Sequence, residues 1–195
     1  MKKLKNVNLT EIAEIYRRIL YYFFSFPDVA IGLNDLSESI STSKTSAKIA
    51  VIDLIKEGFL KKEEIGKTWR ITAEQKHPFM ITRKIPFNLQ LIYESGIIEA
   101  VYAKAQAKAQ NAHSIILFGS YRYGTDNENS DIDIAVEVLD NKEMKIENLG
   151  IIEQLGFRKN VKVNLHIFSR NKIDLNLFTN ISNGIILDGI LEVRP

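Results

Sequence analysis

The chain has 195 residues, 45% of them hydrophobic and 26% charged, with ten glycines, four prolines and no cysteine. This ordinary globular composition excludes a disordered chain, a collagen-like repeat and a disulfide scaffold. The lack of cysteine excludes thiolate zinc sites and cysteine nucleophiles, and it fits a reducing compartment. The basic N-terminus lacks the apolar core of a signal peptide, and no apolar run approaches the ~18 residues of a membrane span. We therefore expect a soluble cytoplasmic protein of one domain or two small ones.

The net charge of +2 is unevenly distributed along the chain. Residues 1–112 hold 17 Lys and Arg against 12 Asp and Glu, whereas residues 113–195 hold 9 against 12. A basic first part and an acidic second part hint that the first part faces nucleic acid.

The first 75 residues predict three helices and a β-hairpin. Apolar residues at helical spacing predict helices over residues 10–25, 34–40 and 44–57. Thr10 and Asn34 are the expected N-caps of the first two, and Gly58 is typical of the end of the third. Two short β-prone runs over residues 59–72 predict a hairpin around Ile65-Gly66.

Three helices followed by a hairpin predict a winged helix-turn-helix domain over residues 1–75. The segment resembles the winged-helix transcription regulators, especially in LIKEGFLKKEE, and the resemblance implies that the third helix enters a DNA major groove. The residues expected at DNA lie on that helix and on the wing: Lys44, Thr45, Lys48, Lys61, Lys62, Lys67 and Arg70. The alternative is a small dimerisation domain with solvated lysines, in which a partner covers Ile49 and Ile52. The sequence therefore leaves open whether the chain forms a homodimer.

Residues 76–112 are predicted to form a linker and a connecting helix. The part before Asn88 contains two prolines and shows no clear period. Residues 88–111 predict one long helix, or two that meet at Ser95-Gly96. The Ala-rich end of this segment is a strong helix former, so we interpret it as an exposed connector.

The sequence from residue 114 to residue 138 has the pattern most typical of chemistry. An apolar run ends at Gly119-Ser120, and a polar loop then leads to a segment that alternates with the period of a strand. This alternation places Asp131 and Asp133 on one face, where a divalent cation relieves their repulsion. Mg²⁺ binds through one or two carboxylates plus substrate phosphates. Gly119 lets a phosphate approach the backbone, and Ser120 offers a hydroxyl and an N–H group.

The residues that carry a family resemblance are Phe118-Gly119-Ser120, Arg122, Gly124 and Ser130-Asp131-Ile132-Asp133. This part of the chain resembles the signature of the minimal nucleotidyltransferases of the DNA polymerase beta-like superfamily. The resemblance covers about residues 88–190 and implies a nucleotidyltransferase-fold domain over residues 113–195, with a small mixed sheet flanked by helices. With the winged helix before it, the expected fold class of the whole chain is α/β (α+β).

The same resemblance implies roles for individual residues. Asp131 and Asp133 are expected to be catalytic and to bind Mg²⁺ or Mn²⁺. The residues expected to bind the NTP substrate are Gly119, Ser120, Arg122, Gly124 and Ser130. The elements expected after the aspartates are a helix near 141–156, a strand at 161–168 and a helix near 171–183.

Members of this family usually add a third carboxylate from a later strand, and this sequence departs from that pattern. Asn164 lies at the matching position and is the third candidate catalytic residue, but an amide carries no charge and cannot act as a base. His166 is on the same face and is a candidate for proton transfer, although a strand histidine bonded to its surroundings is the commoner case. Glu137 shares the face of the aspartates but lies too far along the strand.

Two functions remain open at this stage. The first is a Mg²⁺-dependent nucleotidyltransferase that moves an NMP from an NTP to a hydroxyl of a protein or a nucleic acid, with the winged helix on DNA. The second is a winged-helix DNA-binding regulator whose degenerate transferase domain only senses nucleotide. The complete Gly-Ser and Asp-x-Asp patterns favour the enzyme, and Asn164 favours the regulator. A purely structural oligomerisation module is disfavoured because paired aspartates have no obvious structural use.

Overall fold

The computed structural model describes residues 14–107 and 111–192. The chain divides into two compact units, Met1–His77 and Pro78–Pro195. The predicted cap Thr10 lies outside the described residues. Within these residues, no helix is both long enough and apolar enough to cross a membrane.

The first unit contains three helices and a small antiparallel sheet. Its elements are α1 (Glu14–Ser25), β1 (Ile31–Gly32), α2 (Leu33–Ser39), α3 (Lys44–Lys56), β2 (Leu60–Ile65) and β3 (Thr68–Ala73). The strand order is β1-β3-β2, so the predicted hairpin is confirmed and a short third strand joins its second arm. The third helix is also confirmed: the hydroxyl of Ser43 accepts the N–H of Ser46, and Gly58 follows the helix with φ of +83°.

The expected cap of the second helix is wrong by two positions. Helix α2 begins at Leu33 and its N-cap is Gly32, so Asn34 lies inside the first turn. The reason is packing, because Leu33 and Leu36 are both buried and must share one helical face. Strand β1 has only two residues, which is too short for any periodic pattern to show.

Aromatic side chains form much of the core of the first unit. Phe23, Phe24 and Phe59 are almost completely buried, and the rings of Phe24 and Phe59 meet edge to face with their centroids 5.7 Å apart. Burying each such side chain contributes about 1.5–3 kcal/mol. The core therefore joins the first helix to the start of the hairpin.

The second unit is built around one mixed sheet. Its helices are α4 (Phe79–Thr82), α5 (Lys84–Glu94), α6 (Ile97–Ala107), α7 (Gly119–Tyr123) and α8 (Leu175–Ser182). Its strands are β4 (Ala112–Phe118), β5 (Ile132–Val138), β6 (Lys145–Leu155), β7 (Arg158–Phe168) and β8 (Ile185–Gly189). The strand order is β6-β7-β5-β4-β8, in which β5 and β7 are parallel and the other pairs are antiparallel.

Helices cover both faces of this sheet, as expected from the sequence. On one face, α5 and α6 supply Ile92, Ile97 and Val101 to a core shared with the isoleucines of β5. On the other face, α8 supplies Ile181 to a smaller core with Phe168. Because side chains alternate along a strand, β5 points its apolar residues at the first core and its acidic residues at the second face.

The long helix predicted after Asn88 is two helices. Of the two alternatives, the second is confirmed, because α5 and α6 meet at Ser95-Gly96 and Gly96 has φ of +75°. The Ala-rich end was expected to be an exposed connector. Of its described residues, Ala103, Gln106 and Ala107 are exposed and Ala105 is buried, whereas the earlier part of α6 packs on the sheet through Ile97 and Val101.

The helix expected near residues 141–156 is wrong, since the segment is strand β6. Ile146, Leu149 and Ile152 recur every three residues, which is close to helical spacing. In the structure a shift of the pairing register between Asn148 and Gly150 interrupts the alternation of β6. Such a bulge removes the period of two by which a strand is detected, while pairing with β7 still determines the conformation.

A buried ion pair anchors the loop before strand β5. The ammonium of Lys84 is fully buried, lies 3.3 Å from the carboxylate of Asp126, and also donates to the carbonyl of Asp126. The amide of Asn88 donates to that carboxylate at 2.7 Å and to the carbonyl of Tyr121 at 3.1 Å. Burial raises the pKa of Asp126, and the charge of Lys84 and the amide of Asn88 oppose this rise. The loop is therefore tied to helix α5 by groups that have no access to water.

We expect Lys84→Met to lower the free energy of unfolding by about 3–5 kcal/mol, because it leaves a buried carboxylate without its cation. Urea unfolding of the full chain measures this loss. The matched control is Lys142→Met, which removes an exposed lysine 3.5 Å from Asp140 and should cost less than about 1 kcal/mol. Equal losses in the two variants would contradict the anchoring role of Lys84.

Candidate active site

The pairing of β4 with β5 determines where the Gly-Ser turn lies. Phe118 is opposite Asp133 in the antiparallel register, so Gly119 leaves the end of β4 beside that aspartate. Gly119 has φ of +70°, and a Cβ atom placed on it would lie only 2.8 Å from Oδ2 of Asp133. Two features therefore favour glycine at this position: the positive φ of the backbone and the close approach of the carboxylate.

The two aspartates face a neighbouring strand whose polar side chains meet them. Asp133 is level with Asn164 in the parallel register of β5 and β7. The Asn164 side-chain amide donates to Oδ1 of Asp133 at 3.2 Å and to Oδ2 of Asp131 at 3.4 Å. The structure thus brings together all three predicted catalytic residues, with an amide bridging two carboxylates.

His166 also contacts this group. Its Nε2 lies 3.3 Å from Oδ1 of Asp133, and because a carboxylate can only accept, we assign the ring proton to Nε2, whose N–H group then donates a hydrogen bond to Oδ1. The other ring nitrogen, Nδ1, is buried and has no hydrogen-bond partner among the residues that the structure describes. The edge of the imidazole packs against Phe118, with ring centroids 4.8 Å apart. The ring is thus held between a carboxylate and an aromatic side chain.

Glu137 takes no part in this group, as its distance along the strand indicated. Its side chain is buried, and the guanidinium of Arg170 donates to its two oxygens at 2.9 Å and 3.1 Å. A carboxylate with this bidentate partner is neutralised in place.

Of the other predicted nucleotide-binding residues, Ser120 follows Gly119 directly, and the remaining three have structural contacts. A Cβ atom on Gly124 would lie 2.2 Å from the carbonyl oxygen of Met80, so this glycine allows close packing. Nε of Arg122 donates to the carbonyl of Asn183 at 2.7 Å. The hydroxyl of Ser130 accepts the N–H of Asn127 at 3.0 Å and so closes the turn before Asp131.

The sequence reasoning missed a buried arginine that supports this turn. Arg158 donates to the carbonyls of Glu128 and Ser130 and to the hydroxyl of Tyr121. Burial raises the pKa of Tyr121, so this hydroxyl stays protonated. The only signal in the sequence was one basic residue at the start of a predicted strand, and its partners lie some 30 residues away along the chain.

In the first unit, the predicted DNA-contacting residues fall into two groups. Lys44, Lys48 and Lys67 line a cleft of about 410 Å³ that Trp69 also borders. Two ammonium groups approach this tryptophan, since Nζ of Lys48 lies 5.3 Å and Nζ of Lys62 lies 4.2 Å from the ring centre. The lining thus has three lysines and one acid, Asp35, beside an aromatic surface.

The other basic residues of the wing have acidic neighbours. Their ion pairs are exposed and join Lys61 to Glu74, Lys62 to Glu64 and Arg70 to Glu63. Thr45 is exposed on the first turn of α3. Exposed pairs contribute little to stability, and they reduce the charge that the wing presents.

The donor set at the aspartates fits a magnesium ion. Two carboxylates and an amide converge, and rotating the Asn164 amide presents its oxygen in place of its nitrogen. Oxygen donors of this kind, completed by phosphate oxygens, are what Mg²⁺ binds. Over residues 14–107 and 111–192, no cluster of three or more His, Cys, Asp or Glu side chains is placed to hold a metal. The fit therefore depends on the two aspartates and the amide.

The comparison with known families agrees with this geometry. Residues 100–187 match the family model of the nucleotidyltransferase domain. The matched segment contains the Gly-Ser turn, both aspartates and Asn164, and it supports nucleotidyl transfer as the general function. The mixed α/β architecture is consistent with the predicted fold of this domain. No curated protein and no solved structure matched the chain.

We expect Gly119→Ala to destabilise the second unit more than Gly96→Ala does. Both substitutions place alanine at φ of +70° to +75°, which costs about 1–2 kcal/mol. Only Gly119→Ala meets Asp133, since the nearest atom to a Cβ on Gly96 is 4.0 Å away. Asp133 must then give up hydrogen bonds, at a further cost of about 1 kcal/mol. Urea unfolding measures both losses.

A double-mutant cycle identifies the source of the additional loss. In the background of Asp133→Ala, Gly119→Ala should cost no more than Gly96→Ala. An undiminished cost in that background would show that the close approach to Asp133 is not what requires glycine.

Proposed function

We propose that this chain is a Mg²⁺-dependent nucleotidyltransferase that moves an NMP from an NTP to a hydroxyl acceptor, and that its first unit binds DNA as a winged helix. The observation that carries the transferase proposal is the contact between the Gly-Ser turn and the paired aspartates. A phosphate bound at the backbone of Gly119 and Ser120 lies next to the carboxylates that would hold its cation. The family match over residues 100–187 supports the same reaction class.

In this proposal, the acceptor hydroxyl attacks the α-phosphorus and releases its proton to water, the new O–P bond forms in line, and the bond to pyrophosphate breaks. Mg²⁺ bound by Asp131 and Asp133 would supply neutralisation of the charge that develops on the phosphate oxygens. The residues of the chain position the reacting groups. The Gly-Ser turn fixes the triphosphate, and Arg158 and Lys84 hold the loop that leads into Asp131 rigid.

Two observations support a winged helix in the first unit. The order of helices and strands is α1-β1-α2-α3-β2-β3, in which a hairpin follows the third helix. The N-terminal part of α3 and the hairpin both contribute lysines to one cleft. Basic residues on a helix and on an adjacent hairpin are an arrangement suited to DNA phosphates. The acceptor of the nucleotide is then a nucleic acid or a protein brought near by the DNA.

The second candidate function is a DNA-binding regulator whose transferase domain binds nucleotide without turnover. The observation that favours it is Asn164, because an amide occupies the position of a third acid and leaves the acceptor hydroxyl without a carboxylate base. Both candidates require nucleotide at the Gly-Ser turn, so they differ only in transfer.

We expect the purified chain, with Mg²⁺ or Mn²⁺ and host lysate, to transfer label from one of the four α-labelled NTPs. Asp131→Asn and Asp133→Asn should each lower transfer at least about a hundredfold, because each removes half of the charge that holds the cation. The control is Glu153→Gln, which changes an exposed acid of β6 and should transfer like the unaltered chain. Autoradiography of the separated products measures transfer and identifies the acceptor.

Absence of transfer from every NTP would contradict the proposal that the chain is an enzyme. If the chain then still binds nucleotide only with a divalent cation, and Asp131→Asn abolishes that binding, the regulator is the correct function.

We expect Lys44→Ala, Lys48→Ala and Lys67→Ala each to weaken binding of a mixed-sequence DNA duplex. Each lysine that contacts a phosphate should also lower the slope of log affinity against log salt by about one. Fluorescence anisotropy over a range of salt concentrations measures both. Lys56→Ala is the matched control, because this lysine lies at the other end of α3 and pairs with Asp53.

Unchanged affinity in all three variants would contradict DNA binding through the cleft. It would favour the dimerisation alternative, for which α3 offers Ile49, 60% exposed.

A further inference from the structure

The number of cations at the candidate active site follows from the side chains around the two aspartates. We infer that this site holds a single divalent cation, and that Asn164 and His166 occupy the side on which a second cation would need a carboxylate. The inference rests on the proposed function and deepens it, because it assigns the metal content of the same site.

The first argument is the charge of the group. Asp131 and Asp133 carry two negative charges, which one divalent cation balances. Two cations 3.5–4 Å apart, as in two-metal sites, repel each other strongly and need further anionic ligands between or beside them. The next acid on this face of β5 is Glu137, and both of its oxygens are already bound by Arg170. Among the described side chains in contact with the two aspartates, Asn164 and His166 add no negative charge.

The second argument is the direction of the N–H donors. The amide of Asn164 donates to both aspartates, and Nε2 of His166 donates to Asp133 from the same neighbouring strand. A cation on that side would face the positive ends of N–H bonds. Rotating the amide of Asn164 presents an oxygen, but the imidazole stays fixed because it is only 12% exposed and packs against Phe118.

The third argument is the side that remains open. The Asp133 side chain is 29% exposed, and its Oδ2 faces Gly119 on the β4 side. A cation reaching the aspartates from the Gly-Ser turn therefore meets both carboxylates together with phosphate oxygens of the nucleotide. One cation shared between the aspartates and the nucleotide uses every anionic donor of the site.

The decisive substitution is Asn164→Asp, which changes charge without changing shape. It places a third carboxylate 3.2–3.4 Å from oxygens of Asp133 and Asp131. Without metal, the three carboxylates repel, so the melting temperature of the variant in EDTA should fall by a few degrees. Adding Mn²⁺ should raise the melting temperature of the variant by more than it fell in EDTA, because the variant now provides the ligand that a second cation requires. Asn171→Asp adds the same charge at an exposed position outside the site. Its melting temperature should neither fall in EDTA nor show the additional rise with Mn²⁺.

The experiment counts Mn²⁺ ions by electron paramagnetic resonance, with the full chain in excess over an NTP analogue whose α–β bridge is a methylene group. The unaltered chain should bind one Mn²⁺ per analogue, with the spectrum of an isolated ion. Asn164→Asp should bind two, with the spectrum of a spin-coupled pair, and Asn171→Asp should bind one.

Two results overturn the inference in distinguishable ways. Two coupled ions in the unaltered chain would refute single-cation binding while leaving nucleotidyl transfer intact. If Asp131→Asn and Asp133→Asn both leave Mn²⁺ binding unchanged, the aspartates are not the metal site. That result would also refute the proposed function.

Discussion

Repulsion between Asp131 and Asp133 is the constraint on which the second unit depends. Two carboxylates this close together at the start of β5 are unfavourable unless positive or hydrogen-donating groups compensate them. The fold supplies such groups from the parallel strand β7, where Asn164 bridges both acids and His166 binds one of them. The opposite side stays open toward the Gly-Ser turn. The carboxylates are thus compensated on one side and exposed on the other.

Buried polar groups then hold this arrangement in place. Lys84 binds Asp126 at one end of the polar loop, and Arg158 binds the carbonyls of Glu128 and Ser130 at the other end. Charged groups are costly to bury, and here each is compensated by partners that belong to the loop itself. These contacts at both ends hold the loop against the rest of the unit and so position Asp131 at the entrance to β5.

The sequence revealed the parts of the site that are local and missed those that are not. Gly119 and Asp133 lie in one short segment whose glycine and alternation are visible directly, and Asn164 could be assigned by its place in a predicted strand. Arg158 and Lys84 could not, because nothing near them in sequence shows that they are buried or which carbonyls they meet. The helix predicted near residues 141–156 failed for a related reason, since the bulge in β6 erases the strand period and only the pairing with β7 shows the true conformation.

That bulge has a consequence for solubility. In the described part of the chain, β6 is an edge strand of eleven residues, and it exposes Ile146 and Ile151. A long, flat, apolar edge offers its free backbone groups to the edge of another molecule and so invites aggregation. The register shift at Gly150 twists the edge and interrupts its row of donors and acceptors, and Lys145 and Glu147 place charge beside it. The irregularity that hides β6 from sequence inspection therefore also makes edge-to-edge pairing with another molecule less favourable.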